Sequence, residues 1–254
     1  MMTHGGRREG AGRPRKSWRS CRDRQVERPV FRGWRPFHVT LRVHMEAVGR
    51  LRQRENYHAI RKAMHTAFAR RDFRINQVSL EVDHIHLIVE AADGDALRRG
   101  IHGFMVAAAR RLNVESGPAR GTRARLLRDA SGKQRVIAAT RRGRRGAVFV
   151  GRYHVVAVTS PWQARNVLRY VLNNYRHHDE VETLPGHGPW AVDYYSSGPS
   201  FLGWAEYRQS SRPFPIFPSY QPLPVKPART WLLAEGWRRG GPISLYDVPG
   251  HPRW

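Results

Sequence analysis

The chain is short of cysteine, of lysine and of acid, and each shortage narrows what it can be. Cys21 is the only cysteine among 254 residues. That excludes an intramolecular disulfide framework and a cysteine-built zinc site. No apolar run reaches the roughly 18 residues needed to cross a bilayer, so no membrane span is expected. The basic N-terminus lacks the apolar stretch of a secretory signal, and a cytoplasmic, nucleoid-associated protein is the expectation. Only Lys16, Lys62, Lys133 and Lys226 are lysines, so arginine carries the positive charge. Codon bias toward arginine explains that exchange, but not the excess of 45 basic over 20 acidic residues, a formal net charge of +25. A charge of this size suits a polyanion, because each neutralised phosphate releases condensed counterions. Nucleic acid is the leading partner class, and a membrane is not expected.

What is present divides the chain in three. Residues 1–35 hold eleven Arg or Lys with little apolar periodicity and read as a flexible basic arm. Within it, Gly12-Arg13-Pro14-Arg15-Lys16 is similar to the core of an AT-hook, whose extended Arg-Pro-Arg enters a narrow minor groove. A plain disordered tail is the alternative. Residues 36–178 carry the periodic patterns of a folded domain. A strand is expected at Pro36–His44, where Phe37, Val39, Leu41 and Val43 alternate with polar residues. A helix follows at Asn56–Asp72, then strands at Arg74–Leu80 and His84–Glu90 around a tight turn at Val82-Asp83. A second helix is expected at Asp95–Asn113. Residues 117–147, with ten basic residues and one acid, read as a flexible basic insertion. A last strand is expected at Val148–Val158. Ser160 and Gln163 then form a capping box around Pro161, opening a third helix that runs to about His178. The order β-α-β-β-α-β followed by a helix predicts an α+β fold with a ferredoxin-like antiparallel sheet. Residues 179–254 hold twelve of the 17 prolines and five of the eight tryptophans. They are expected to wrap the core as an extended Pro/Trp-rich tail, with a short helix near Thr230–Trp237.

The chemistry-bearing residues fall at two places. In Asp83-His84-Ile85-His86-Leu87 the histidines are two apart, so on a strand both project from one face while Ile85, Leu87 and Val89 take the other. Two imidazoles so held can bind a divalent cation and leave positions open for a substrate oxygen. Two strand histidines with no ligand are the alternative. The third helix contains Arg169-Tyr170-Val171-Leu172-Asn173-Asn174-Tyr175. At 100° per residue, Val167, Leu168, Val171 and Leu172 span about 60° to 200° from Tyr170, with Asn174 near 40°, His177 near 340° and Tyr175 near 140°. Tyr170 and Asn174 therefore share a face beside the apolar stripe, and Tyr175 lies within it. A cation on His84, His86 and the Asn174 oxygen would polarise a phosphate, and Tyr170 could attack it in line. Imidazole and oxygen donors suit Mg²⁺ or Mn²⁺.

His84-Ile85-His86, the element order, and Tyr170 with Asn174 four residues on together resemble the HUH single-tyrosine transposases, and within them the REP-associated tyrosine transposase group. The resemblance covers about residues 36–178. It implies a metal-dependent endonuclease and strand transferase that cleaves single-stranded DNA beside a hairpin, REP-like or at an element end, through a 5′-phosphotyrosine. It implies Tyr170 as nucleophile, His84, His86 and Asn174 as metal ligands, and a monomer. Arg13, Arg15, Lys16, Arg141, Arg142, Arg144, Arg145 and Arg169 are the expected nucleic-acid contacts. The chain departs from the group's pattern in having Glu81-Val82-Asp83 before the first histidine and Tyr175-Arg176-His177 after Asn174. A non-catalytic nucleic-acid-binding module, a relaxase-like HUH nuclease, and a domesticated relative that has lost activity are the competing readings.

Overall fold

The structure is a computed structural model that describes residues 31–115, 122–128, 134–141, 146–177, 183–184, 188–189 and 191–250. Its centre is a four-stranded antiparallel sheet of β1 (Arg32–Arg42), β2 (Phe73–Leu80), β3 (His84–Asp93) and β6 (His154–Ala157). The strand order is β2-β3-β1-β6. Two helices, α2 (Arg54–Phe68) and α3 (Gly94–Glu115), follow β1 and β3; a short α1 (Met45–Val48) precedes α2. The chain is thus α+β, with the elements in the expected order.

Alternation along the strands separates two cores. Phe37, Val39 and Leu41 of β1, with Ile85, Leu87 and Val89 of β3, pack with Ile60, Met64, Ile101 and Phe104 of α2 and α3. Gly100 of α3 marks the closest approach, since a Cβ there would meet the Phe73 ring at 2.2 Å. On the opposite face, Ile88 joins a second core with α4 (Pro161–His177) and residues of the 191–250 segment. The capping of α4 matches its sequence signature with one change. Ser160 Oγ accepts from Gln163 N at 3.1 Å, while Gln163 Oε1 accepts from Thr159 N at 2.8 Å, one residue earlier than a standard box.

Three elements differ from expectation. The last strand is only four residues long, because Gly151 at φ +60° turns the chain before it; Phe149 makes an isolated bridge to Val43. Within the basic insertion, β4 (Thr122–Arg128) and β5 (Gln134–Arg141) pair as an antiparallel ribbon. Thr122, Val136, Ile137 and Thr140 are the strand-favouring residue types in these two segments. The helix near Thr230 is one α turn, α5 (Trp231–Ala234), continued as a 3₁₀ turn at Gly236–Gly240.

The segment 191–250 has little regular structure but is firmly attached. Its residues 195–197 pair with the outer edge of β2, through Leu80 N to Tyr195 O and Ser197 N to Val78 O, so that edge is covered. Asp193 takes a bidentate pair from the buried Arg52 at 2.9 and 3.0 Å. Buried Glu90 accepts from the backbone of Arg229 and Thr230 at 2.7 and 2.6 Å. A two-residue pair, β7 (Thr183–Leu184) and β8 (Gly188–Pro189), precedes this segment. Among the described residues no helix is long and apolar enough to cross a membrane.

Candidate active site

The face of the sheet beneath α4 is polar where the other face is apolar. Register places Ser79 of β2 opposite His86, His86 opposite Thr40 of β1, and Thr40 opposite His154 of β6. One polar row therefore crosses all four strands. His38 and Glu81 sit two residues from Thr40 and Ser79, on the same face.

The two histidines singled out by the sequence are neighbours, with ring centroids 4.7 Å apart and planes nearly perpendicular. His84 is partly exposed, and its Nδ1 lies 2.6 Å from Asp83 Oδ1. His86 is buried, with Nδ1 at 3.0 Å from His38 Nε2 and 3.2 Å from Thr40 Oγ1. A proton on each Nδ1 satisfies these contacts and makes each Nε2 a lone-pair donor, the form a metal ligand takes. Burial drives His38 down to about 4, with the charges of His154 and His84 adding to the effect, so its ring is neutral at pH 7 and can accept from His86. Burial works against ionisation of Asp83, but its hydrogen bond with His84, its electrostatic attraction to that ring and Arg42 at 3.4 Å together hold its carboxyl below the usual range.

Helix α4 lays Tyr170 over this cluster. Its ring centroid is 5.1 Å from that of His86 and 5.9 Å from that of His38, edge-on to both. Burial, with the Glu81 carboxylate adding to it, raises the phenol above its usual value, so it is neutral at pH 7. Tyr175 points elsewhere: it is fully buried and its hydroxyl donates to Ala191 O at 3.2 Å. Asn174, one turn beyond Tyr170, is also fully buried, and neither its Oδ1 nor its Nδ2 has a hydrogen-bond partner among the described residues. A buried amide left in that state costs about 1–3 kcal/mol, which a ligand to its oxygen would recover.

Among the described residues, no three His, Cys, Asp or Glu side chains are grouped to hold an ion by themselves. The structure brings His84 and His86 together and leaves the Asn174 amide without a partner among the described residues; imidazole nitrogens and a carboxamide oxygen are donor types that suit Mn²⁺ or Mg²⁺.

Sequence reading missed His38, Thr40 and Glu81. Glu81 is fully buried, accepts from Ser79 Oγ at 2.5 Å and acts on Tyr170 through its charge. Extending the β2 alternation by two residues, from Ser79 to Glu81, would have placed it on this face. Of the expected nucleic-acid contacts, Arg169 is half-buried on α4, and its Nε is enclosed without a partner among the described residues. Arg141 ends β5. Arg13, Arg15, Lys16, Arg142, Arg144 and Arg145 lie outside the described residues, as does residues 1–30 of the basic arm.

No protein-family model matches the chain, and no curated protein matches it. Among solved structures, the chain is similar to a REP-associated tyrosine transposase bound to a REP hairpin, at 14% identity and a TM-score of 0.39. The similarity covers 61% of this chain and 74% of that one, and is too distant to transfer the role of any residue.

Proposed function

We propose that the chain is a transposase-type endonuclease and strand transferase acting on single-stranded DNA beside a hairpin, with Tyr170 as nucleophile. The observation that carries this reading is the packing of the Tyr170 ring against His86, on a sheet face where every neighbouring strand contributes a polar side chain. The strand order and the crossing of α4 over the free sheet face agree with a ferredoxin-like HUH domain. The net charge of +25 agrees with a nucleic-acid substrate.

In this reading His84, His86 and Asn174 would hold Mn²⁺ or Mg²⁺, which when bound supplies Lewis-acid polarisation of the scissile phosphate. The protein residues do the rest. Asp83, His38 and Thr40 fix the two imidazoles in the tautomer that presents Nε2. Tyr170 is neutral at rest, so as Oη bonds to phosphorus and the bond from phosphorus to the 3′ oxygen breaks, its phenolic proton passes by way of solvent to that leaving oxygen. The product is a 5′-phosphotyrosine and a free 3′ hydroxyl. Bond energy is kept in the phosphoester, so the reverse attack can rejoin strands. This reading takes the chain as a monomer, with Tyr170 packed on His86 of its own chain.

The burial of Tyr170 favours a second reading, a non-catalytic nucleic-acid-binding module or domesticated relative, because the phenol is only 9% exposed. A denaturing gel with labelled hairpin oligonucleotides bearing single-stranded flanks, with and without Mn²⁺, separates the two. The enzyme reading expects a metal-dependent protein–DNA adduct that is kept in Tyr175→Phe and lost in Tyr170→Phe. DNA retarded on a native gel with no adduct under any condition supports the second reading.

A further inference from the structure

On the far side of the sheet from Tyr170, an open groove of about 790 Å³ runs between α2 and α3. Arg70, Arg98, Arg99, His102, Arg110 and Arg111 line it, and no acidic residue does. Asp72 sits at one end, 2.7 Å from Arg70 and 3.5 Å from Arg99, and Asp95 lies 3.4 Å from Arg98. Arg110 and Arg111 are exposed and have no acidic partner among the described residues.

The helix geometry gives the charges a direction. Arg99, Gly103, Val106 and Arg110 fall within about 60° of one another around α3 at 100° per residue. From Arg99 to Arg110 the axis rises about 16 Å, the length of roughly five nucleotides of a B-form strand at 3.4 Å each. Gly103 lines the groove, in the middle of a 22-residue helix where glycine is unfavourable. Apart from its own helix backbone, no atom of the described residues comes within 4 Å of where its Cβ would be, so internal packing does not call for a glycine there. What a missing side chain does permit is close approach from outside.

We propose that the α2–α3 groove is a second DNA contact, seating a sugar–phosphate backbone on its arginines with Gly103 as the point of closest approach. It rests on the reading of the chain as a DNA-acting protein only for the identity of the polyanion, and is independent of chemistry at Tyr170. The groove would hold the hairpin stem while the flank reaches the opposite face around the sheet edge. Recognition is of phosphates, so it is indifferent to stem sequence.

The test is fluorescence anisotropy of a labelled hairpin, and of one with a scrambled stem, across a salt series with the full chain. Arg110→Gln/Arg111→Gln is compared with Arg208→Gln/Arg212→Gln, which removes the same charge from an exposed region outside the groove. The groove variant is expected to flatten the slope of log K against log salt by about 2, equally for both stems, with the control flattened by less than half of that. Gly103→Glu, which has space to fold, is expected to weaken binding on the order of tenfold, with an unchanged melting temperature as the folding check. Equal slopes for groove variant, control and wild type overturn the proposal, as does loss in the groove variant for one stem sequence only. Adduct formation is scored in parallel. An adduct with an unchanged groove slope sinks the groove alone, and a flattened slope without any adduct sinks the nuclease reading alone.

Discussion

The two faces of the central sheet are made by the same strands and obey opposite rules. On the α2–α3 face, Phe37, Val39, Leu41, Ile85, Leu87 and Val89 are all but dry and belong to one apolar cluster. On the α4 face, His38, Thr40, Ser79, Glu81, His86 and Glu90 occupy the intervening positions, and most are equally buried. Burying such groups is unfavourable unless each finds a partner. Stability therefore comes from the apolar face and from the second core around Ile88 and α4, while the buried polar groups beneath α4 are maintained at a cost and are where a function is to be sought. Glu90 shows that not every polar residue there is chemical: it anchors the 191–250 segment through two backbone N–H groups.

The contrast can be broken most severely on the apolar face. Leu87→Ala should cost about 2–5 kcal/mol of unfolding free energy, read in urea, because a fully buried leucine leaves a cavity between sheet and helices. Glu90→Ala comes next, at about 2–4 kcal/mol, because it strands the N–H groups of Arg229 and Thr230. Limited proteolysis should then cut the 191–250 segment first, while the sheet stays protected. His86→Leu should change stability by only about 1 kcal/mol, since a close-packed apolar side chain replaces a polar one. It should abolish any rise in melting temperature produced by Mn²⁺ in the wild type.

The subtlest effect is on pH. His38 is pushed from 6.5 to about 4 in the folded state, so the unfolded chain takes up its proton first as pH falls. Its contribution to stability is fully present above about 6.5 and is lost progressively down to about 4. His38→Gln should flatten the stability profile in that window relative to wild type and leave it unchanged above pH 7.

Much of this contrast is legible in the sequence. The split of β3 into His84 and His86 against Ile85, Leu87 and Val89 follows from strand alternation alone, as does the opening of α4 at Ser160-Pro161. The helical wheel placed Tyr170 and Tyr175 on different sides of α4, and their neighbours differ accordingly. What escaped was whatever depends on register between distant strands. His38 meets His86 only because β1 pairs with β3 across 48 residues of chain. The Arg52–Asp193 and Glu90–Thr230 contacts join positions 141 and 140 residues apart, which no local pattern encodes. Proline density announced that 191–250 lacks long helices and strands, but not that buried Glu90 holds its backbone and buried Arg52 holds its Asp193.

Peptide mapping shows whether the polar face is organised around Tyr170. Wild-type protein is incubated with a hairpin oligonucleotide and Mn²⁺, treated with nuclease, and digested with trypsin for mass spectrometry. Arg169 and Arg176 bound a peptide, residues 170–176, that holds both Tyr170 and Tyr175, so fragment ions assign the attachment site. A metal-dependent nucleotide adduct on Tyr170 alone is expected. An adduct on Tyr175, or none on this peptide when DNA is bound, would contradict it.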